Sequence, residues 1–214
     1  MRRAELIPSL LVPDEAAFRA RIALLGDVAQ AVHIDVMDGV FVANTTWADP
    51  AAIRNMHLPF VIEAHLMVTH PERLVDDWIM AGARRVFVHV EAPGNPLAAV
   101  EAMRAVGREG GLAINPETPV SRIADLLAEL DAVLVMGVKP GWSGQAFQSV
   151  ALSKVAELKR LRPELRVGVD GGVTPPIAAD LAALGCDAVV AAHALYDAPD
   201  FKKAVEDFEK ALAG

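Results

Sequence analysis

Four apolar stretches of this sequence carry imidazoles or carboxylates where an interior would be expected to tolerate none. His33 and Asp35 lie in AVHIDVMD (31–38), Glu63 and His65 in FVIEAHLMV (60–68), His89 and Glu91 in RVFVHVEA (85–92), and Asp170 in LRVGVDGG (165–172). Charged groups seldom enter an interior unless they are paired or bind metal. Side chains of a strand alternate between its faces. Val32, Ile34 and Val36 therefore form one face of the first stretch, and His33, Asp35 and Met37 the other. The same alternation sets Ile62, Ala64 and Leu66 against Glu63, His65 and Met67, and Val86, Val88 and Val90 against Phe87, His89 and Glu91. In the last stretch Val167 and Val169 oppose Gly168 and Asp170. Two neutral imidazoles with two carboxylates can bind one divalent cation such as Zn²⁺, Fe²⁺, Mn²⁺ or Co²⁺, and the charges then sum to about zero. A single inward histidine is more often a satisfied core residue, and His89 and Glu91 read equally well as supporting partners. Several strands sending ionisable groups into one interior is costly without a ligand.

Something must hold these strands side by side. Runs of strand character at 5–11, 31–38, 60–68, 85–92, 111–116, 132–138, 165–172 and 187–195 alternate with helical patterns or segments of helix length. The helical patterns include 13–26, 71–83, 95–110, 150–161, 175–185 and 199–214, several with proline in the first turn and glycine near the end. Eight strand–helix units are what a (β/α)₈ barrel requires, and active sites of that fold sit at the C-terminal ends of its strands. An open doubly wound sheet would want a glycine-rich turn after its first strand. Here that turn reads VPDEAA, which favours the barrel.

The 214 residues, 53% of them hydrophobic, are long enough for one sizeable core, and no linker or shift in composition divides them. A single domain over 1–214 is expected. The net charge of −8 leaves no basic stripe for a phosphate backbone, so nucleic acid is not an expected partner. No run reaches the roughly 18 apolar residues of a membrane span. Pro8, Asp14 and Glu15 break the signal-peptide pattern that Arg2 and Arg3 begin, and a cytoplasmic protein is expected. The lone cysteine, Cys186, rules out an intrachain disulfide and reads as a small buried residue between a helix and a strand.

HIDVMDGVFVANTT, EAHLMVTHPER, VHVEA, GLAINPETP, LVMGVKPGWSGQAF and VDGGV occur in this order, and over about Ser9 to Asp200 the chain resembles the ribulose-phosphate 3-epimerase family. The resemblance implies a TIM barrel of the ribulose-phosphate-binding type with one divalent metal on His33, Asp35, His65 and Asp170. It implies that Asp35 and Asp170 are also the acid/base pair, one taking the C3 proton and the other returning a proton to the opposite face. The metal would polarise the C2 carbonyl and stabilise a cis-enediolate. Met37, Met67 and Met136 would form an apolar cushion over that intermediate, and Ser9 would contact substrate. Phosphate is expected at backbone amides of Gly141, Trp142, Ser143, Gly144 and Gln145 after the sixth strand, and of Gly171 and Gly172 after the seventh. The implied reaction is D-ribulose 5-phosphate to D-xylulose 5-phosphate, in the pentose phosphate pathway. The alternatives are another ketose phosphate, such as allulose 6-phosphate, or a non-catalytic sugar-phosphate-binding barrel. Family members form dimers or larger rings, so a homo-oligomer is expected.

The chain departs from the family pattern at two loops. KPGWSGQ stands where NPGFGGQ is usual, placing Ser143 at a glycine position, limiting the loop's conformation, and putting Lys139 near the anion site. AAHA, Ala191 to Ala194, stands where AGSA is usual. Ala192 restricts a backbone that glycine leaves free, and His193 is bulkier than serine at the expected phosphate contact.

Overall fold

The computed structural model describes residues 3–26 and 28–213. Eight parallel strands close into a barrel in sequence order: β1 (Glu5–Leu10), β2 (Ala31–Met37), β3 (Val61–Met67), β4 (Arg85–His89), β5 (Glu109–Ile114), β6 (Ala132–Met136), β7 (Arg166–Asp170) and β8 (Ala188–Ala191). The helices that return the chain are α1 (Glu15–Leu25), α2 (Pro50–Met56), α3 (Val75–Met80), α4 (Pro96–Ala105), α5 (Val150–Leu161), α6 (Pro175–Ala183), α7 (His193–Tyr196) and α8 (Phe201–Ala213). Their starts follow local chemistry. Asp14 accepts from Ala17 N–H at 2.8 Å to cap α1, and Asn95 accepts from Ala98 N–H at 3.2 Å to cap α4, whose first residue is Pro96.

Several bounds differ from those expected. The pattern over 71–83 divides into a 3₁₀ turn, Pro71–Arg73, and α3, with Leu74 between them closing the turn on Pro71 C=O at 3.1 Å. β5 begins two residues before 111, since Glu109 N–H bonds Arg84 C=O at 3.0 Å and draws the segment into the sheet. β8 stops at Ala191, opposite Pro8, which has no N–H to extend a ladder. The chain then turns into α7, where Leu195 and Tyr196 N–H both bond Ala192 C=O at 2.9 Å. Between β5 and β6 the return is made by two 3₁₀ segments, Val120–Arg122 and Ala124–Glu129, anchored by buried Val120, Ile123 and Leu127.

The alternation read from sequence is the division between two interiors. Val32, Ile34, Ile62, Leu66, Val86, Val88, Val167 and Val169 belong to the main core under the helices. Burying each such side chain contributes about 1.5–3 kcal/mol. A one-residue slip would exchange that layer for the charged one, so the register is strongly specified. The lumen is filled by Ile7, Ala31, Phe87, Ala113, Ala132, Leu134, Met136, Ala188 and Val190, with Met37, Val42 and Met67 clustered above. Cys186 is buried and free, its thiol 3.1 Å from Ala188 C=O. No helix among the described residues is long and apolar enough to cross a membrane.

Candidate active site

Register brings the inward ionisable groups together. β2 and β3 pair Asp35 with His65 and Met37 with Met67, while β6 pairs Met136 with Asp170 on β7. His33, Asp35, His65 and Asp170 each offer a ligand atom, all within 4.8 Å of one another. His65 Nδ1 lies 3.1 Å from Asp35 Oδ1 and 3.6 Å from Asp170 Oδ2, and His33 Nε2 is 3.6 Å from Asp35 Oδ1. His33 Nε2 is buried without a hydrogen-bond partner. An orphaned imidazole nitrogen facing two carboxylates and a second imidazole fits a divalent cation, for which N₂O₂ donors are ordinary ligands.

Each imidazole is oriented from behind. His33 Nδ1 donates to Glu63 Oε1 at 2.7 Å, which leaves Nε2 as the free ligand. His65 Nε2 lies 2.9 Å from His89 Nε2, and His89 Nδ1 lies 3.1 Å from Glu91 Oε2. Protons running His65 to His89 to Glu91 would leave His65 Nδ1 free to ligate once a cation replaces the proton it otherwise shares with the carboxylates. His89 and Glu91 are thus partners of the cluster, as one of the two sequence readings had it. Glu91 also accepts from Asn115 N–H at 2.9 Å and from the Thr118 hydroxyl, which binds the strand-four end to the loop after β5.

Charge in this buried cluster is strongly biased. Burial alone would raise the Asp35 carboxyl, but the His65 hydrogen bond, the nearby imidazoles and the Ser9 hydroxyl (Oγ to Oδ2 2.5 Å) hold it below its usual range. Burial opposes the charged forms of His33 and Glu63 as well. Their hydrogen bond and mutual attraction win, lifting His33 to about 9 and depressing Glu63 to about 2. His65 is raised against burial by Asp170 and Asp35. Burial, followed in size by Glu91's opposing hydrogen bond and the repulsion of His65, leaves His89 lowered, which suits a neutral relay.

A pocket opens above the cluster. It is lined by Asp35, Asp170, Ser9 and the three methionines Met37, Met67 and Met136, all at the C-terminal ends of their strands. Its far wall is Gly141, Trp142, Ser143, Gly144, Gln145, Gly171, Gly172, Ala192 and His193. Every residue expected to touch substrate therefore lines one pocket. Gly171 (φ +98°) and Gly172 (φ +70°) turn the chain sharply out of β7, in a conformation that L side chains rarely adopt.

The two departures from the family pattern meet different fates. The positive-φ positions of the loop after β6 are Gly141 and Gly144, so Ser143 costs that loop no left-handed backbone. Ala192 (φ −118°) likewise sits where no glycine is required, which corrects the expected restriction. Lys139 is exposed and does not line the pocket. His193 does: its Nδ1 is 2.6 Å from Asp197 Oδ2, and a Cβ on Gly144 would meet the ring at 3.7 Å. Gln145 spends its amide nitrogen within its own loop, on Lys139 C=O at 2.7 Å and Trp142 C=O at 2.8 Å.

Sequence reading passed over Asn44 and Thr46, and took Asp38 only as part of the turn that leaves β2. Asn44 Nδ2 donates to Gly141 C=O at 2.8 Å and joins the β2 and β6 loops. The Thr46 hydroxyl donates to Asp35 C=O at 2.6 Å and accepts from Met37 N–H at 3.0 Å, fixing the backbone that carries both side chains. Asp38 accepts from Val40, Phe41 and Thr69 N–H groups and is an organiser of loops. Polar residues in loops are common, and nothing in their spacing distinguishes these.

A closed (β/α)₈ barrel with a buried His/Asp cluster beneath a glycine-rich pocket defines a barrel enzyme. The 3-hexulose-6-phosphate synthase of Salmonella typhimurium shares the fold, with a TM-score of 0.73 at 18% identity over 98% of each chain. The sequence profile of the ribulose-phosphate 3-epimerase family matches residues 5–196. The ribulose-phosphate 3-epimerase of Escherichia coli is 35% identical over 220 aligned positions, covering 100% of this chain and 98% of its own. That of Treponema pallidum is 40% identical, covering 91% and 92%. The chain belongs to the ribulose-phosphate 3-epimerase family, and it is an epimerase.

Proposed function

We propose that this enzyme interconverts D-ribulose 5-phosphate and D-xylulose 5-phosphate by two-base proton transfer between Asp35 and Asp170. The observation that carries the reading is the meeting of both carboxylates with His33 and His65 in one buried cluster. A ketone's α-proton is too weakly acidic for an unaided carboxylate to remove quickly. A divalent cation held by His33, Asp35, His65 and Asp170 supplies Lewis-acid polarisation of the carbonyl in a dry site. Asp35 and Asp170 come from β2 and β7, so they approach the pocket from different sides. One removes the C3 proton and the other protonates the opposite face, inverting the centre without moving the substrate. The Ser9 hydroxyl aims Asp35 and helps to keep it ionised. Met37, Met67 and Met136 exclude water from the cis-enediolate and offer it a polarisable surface. Backbone N–H groups of the glycine-rich turns at Gly144 and Gly172 receive the phosphate. The reading takes residues 1–214 as one cytoplasmic barrel domain working as a homo-oligomer.

The deciding experiment is a coupled assay of several ketose 5- and 6-phosphates with defined divalent metals. Ribulose 5-phosphate is expected to give the highest kcat/KM. A higher value for a six-carbon ketose phosphate reassigns the sugar, and no turnover of any favours a binding barrel.

His193 supplies a separate test of the phosphate end. Its ring occupies part of the pocket wall, with Nδ1 committed to Asp197. His193→Ser restores volume and a hydroxyl donor and is expected to lower KM about threefold to tenfold with kcat little changed, the range of one hydrogen bond. An unchanged or raised KM counts against His193 being a poorer phosphate donor than serine.

A further inference from the structure

Beside the cluster, one row of the barrel interior carries charge where an apolar layer would serve. Strand register places Ser9 beside His33, His33 beside Glu63, Glu63 beside Arg85, and Arg85 beside Glu109, one row across β1 to β5. The side chains follow the row. His33 Nδ1 donates to Glu63 Oε1 at 2.7 Å, Arg85 Nη1 donates to Glu63 Oε2 at 2.5 Å, and Arg85 Nε donates to Glu109 Oε2 at 2.7 Å. Glu63 is 2% exposed and Arg85 7%, so both are held out of water.

Stability alone is a poor account of this arrangement. A buried ion pair loses much of its attraction to desolvation, and well-packed hydrophobic residues often do as well or better. The rest of the lumen takes that course with Ile7, Ala132, Leu134 and Ala188. What Glu63 accomplishes is directional. Both its oxygens are engaged, one by His33 and one by Arg85, so the carboxylate cannot rotate away, and the His33 nitrogen it leaves free is the orphaned Nε2. Phe87 flanks the same imidazole, with ring centroids 6.4 Å apart. Its ring has room because residue 111 is glycine: a Cβ there would lie 2.8 Å from the ring carbons.

We propose that Glu63, clamped by an Arg85 that Glu109 holds in turn, is a positioning residue that locks His33 in the tautomer and orientation needed to ligate a divalent cation through Nε2. This rests on the reading of His33 as a metal ligand. It goes beyond that reading by giving function to a row of side chains that touches neither cation nor substrate.

The test is Zn²⁺ affinity, measured by chelator competition on the wild type and Glu63→Gln, with circular dichroism and thermal unfolding of both. Glutamine offers one carbonyl oxygen where the carboxylate serves two donors, and turns an N–H donor toward His33 or Arg85. Affinity is expected to fall about 10- to 100-fold in a folded variant. Equal affinity in both proteins, with or without a loss of thermal stability, overturns the proposal and leaves the metal reading standing. If the wild type itself binds no Zn²⁺, the metal reading fails and this one falls with it. Should Glu63→Gln not fold, the wild type decides by itself. Nitrogen-detected NMR of the Zn²⁺-loaded protein is expected to show a slowly exchanging proton on His33 Nδ1 and metal on Nε2. Metal on Nδ1 overturns the proposal.

Discussion

Asp170→Asn is expected to lower kcat for epimerisation by about 10²- to 10⁴-fold while the barrel stays folded. The magnitude is that of removing a general acid/base from a site where nothing else can replace it. Asparagine has nearly the volume of aspartate but accepts no proton. The side chain is 14% exposed, lines the pocket at the end of β7 and lies outside the hydrophobic core cluster. Circular dichroism and the unfolding temperature should therefore differ little from the wild type. Because Asp170 is also a candidate metal ligand, the assay must be run at saturating cation with bound metal measured alongside. Isotope exchange then separates the two roles. With Asp35 intact, the C3–H of the epimer facing it should still exchange slowly with D₂O while inversion is lost. Wild-type turnover in metal-replete Asp170→Asn would end the two-base scheme.

Removal of divalent cations is expected to abolish turnover, and a single equivalent of a suitable ion to restore it. Without the cation, four ionisable side chains crowd a region where their ligand atoms lie within 4.8 Å, and only proton binding can balance the two carboxylates. Protons and cation therefore compete. His33 takes up its proton at about 9, a value raised by Glu63, Asp35 and Asp170 against the effect of burial. Below that pH a cation must displace the proton, so apparent affinity should rise with pH by up to about tenfold per unit and level off near 9. Metal-free stability should run the other way. A histidine with a raised folded pKa stabilises fully below its unfolded value of 6.5, and that contribution is lost as pH rises toward 9. Chelator titrations and thermal unfolding between pH 6 and 9 check both signs. Full activity in rigorously metal-free enzyme would reject the metal role, and a pH-independent affinity would reject the competition.

How much of this was legible beforehand depends on how far apart the cooperating residues lie. Period-two alternation within six or seven residues is a local property of strand geometry, so the inward set His33, Asp35 and Met37 followed from sequence, as did Glu63, His65 and Met67. Eight strand runs separated by helical patterns were enough for the barrel, since few folds accommodate that order. Helix 71–83 and the end of β8 were not legible, because the local turns that mark them, Leu74 N–H on Pro71 C=O and Leu195 N–H on Ala192 C=O, form on residues with no strong intrinsic preference.

By itself the sequence determined which side chains enter the lumen and which face the helices, because strand periodicity and hydrophobic burial act residue by residue. The tertiary structure alone decided which of those side chains meet. Closure of the barrel and its stagger set Asp170 beside His65, 105 positions earlier in the chain, and aligned Glu63, Arg85 and Glu109 behind His33. Arg85, read on its own, was only a charge at the start of an apolar run. Its role depends on the relative shift of neighbouring strands, fixed by the packing of the whole sheet and written in no single segment.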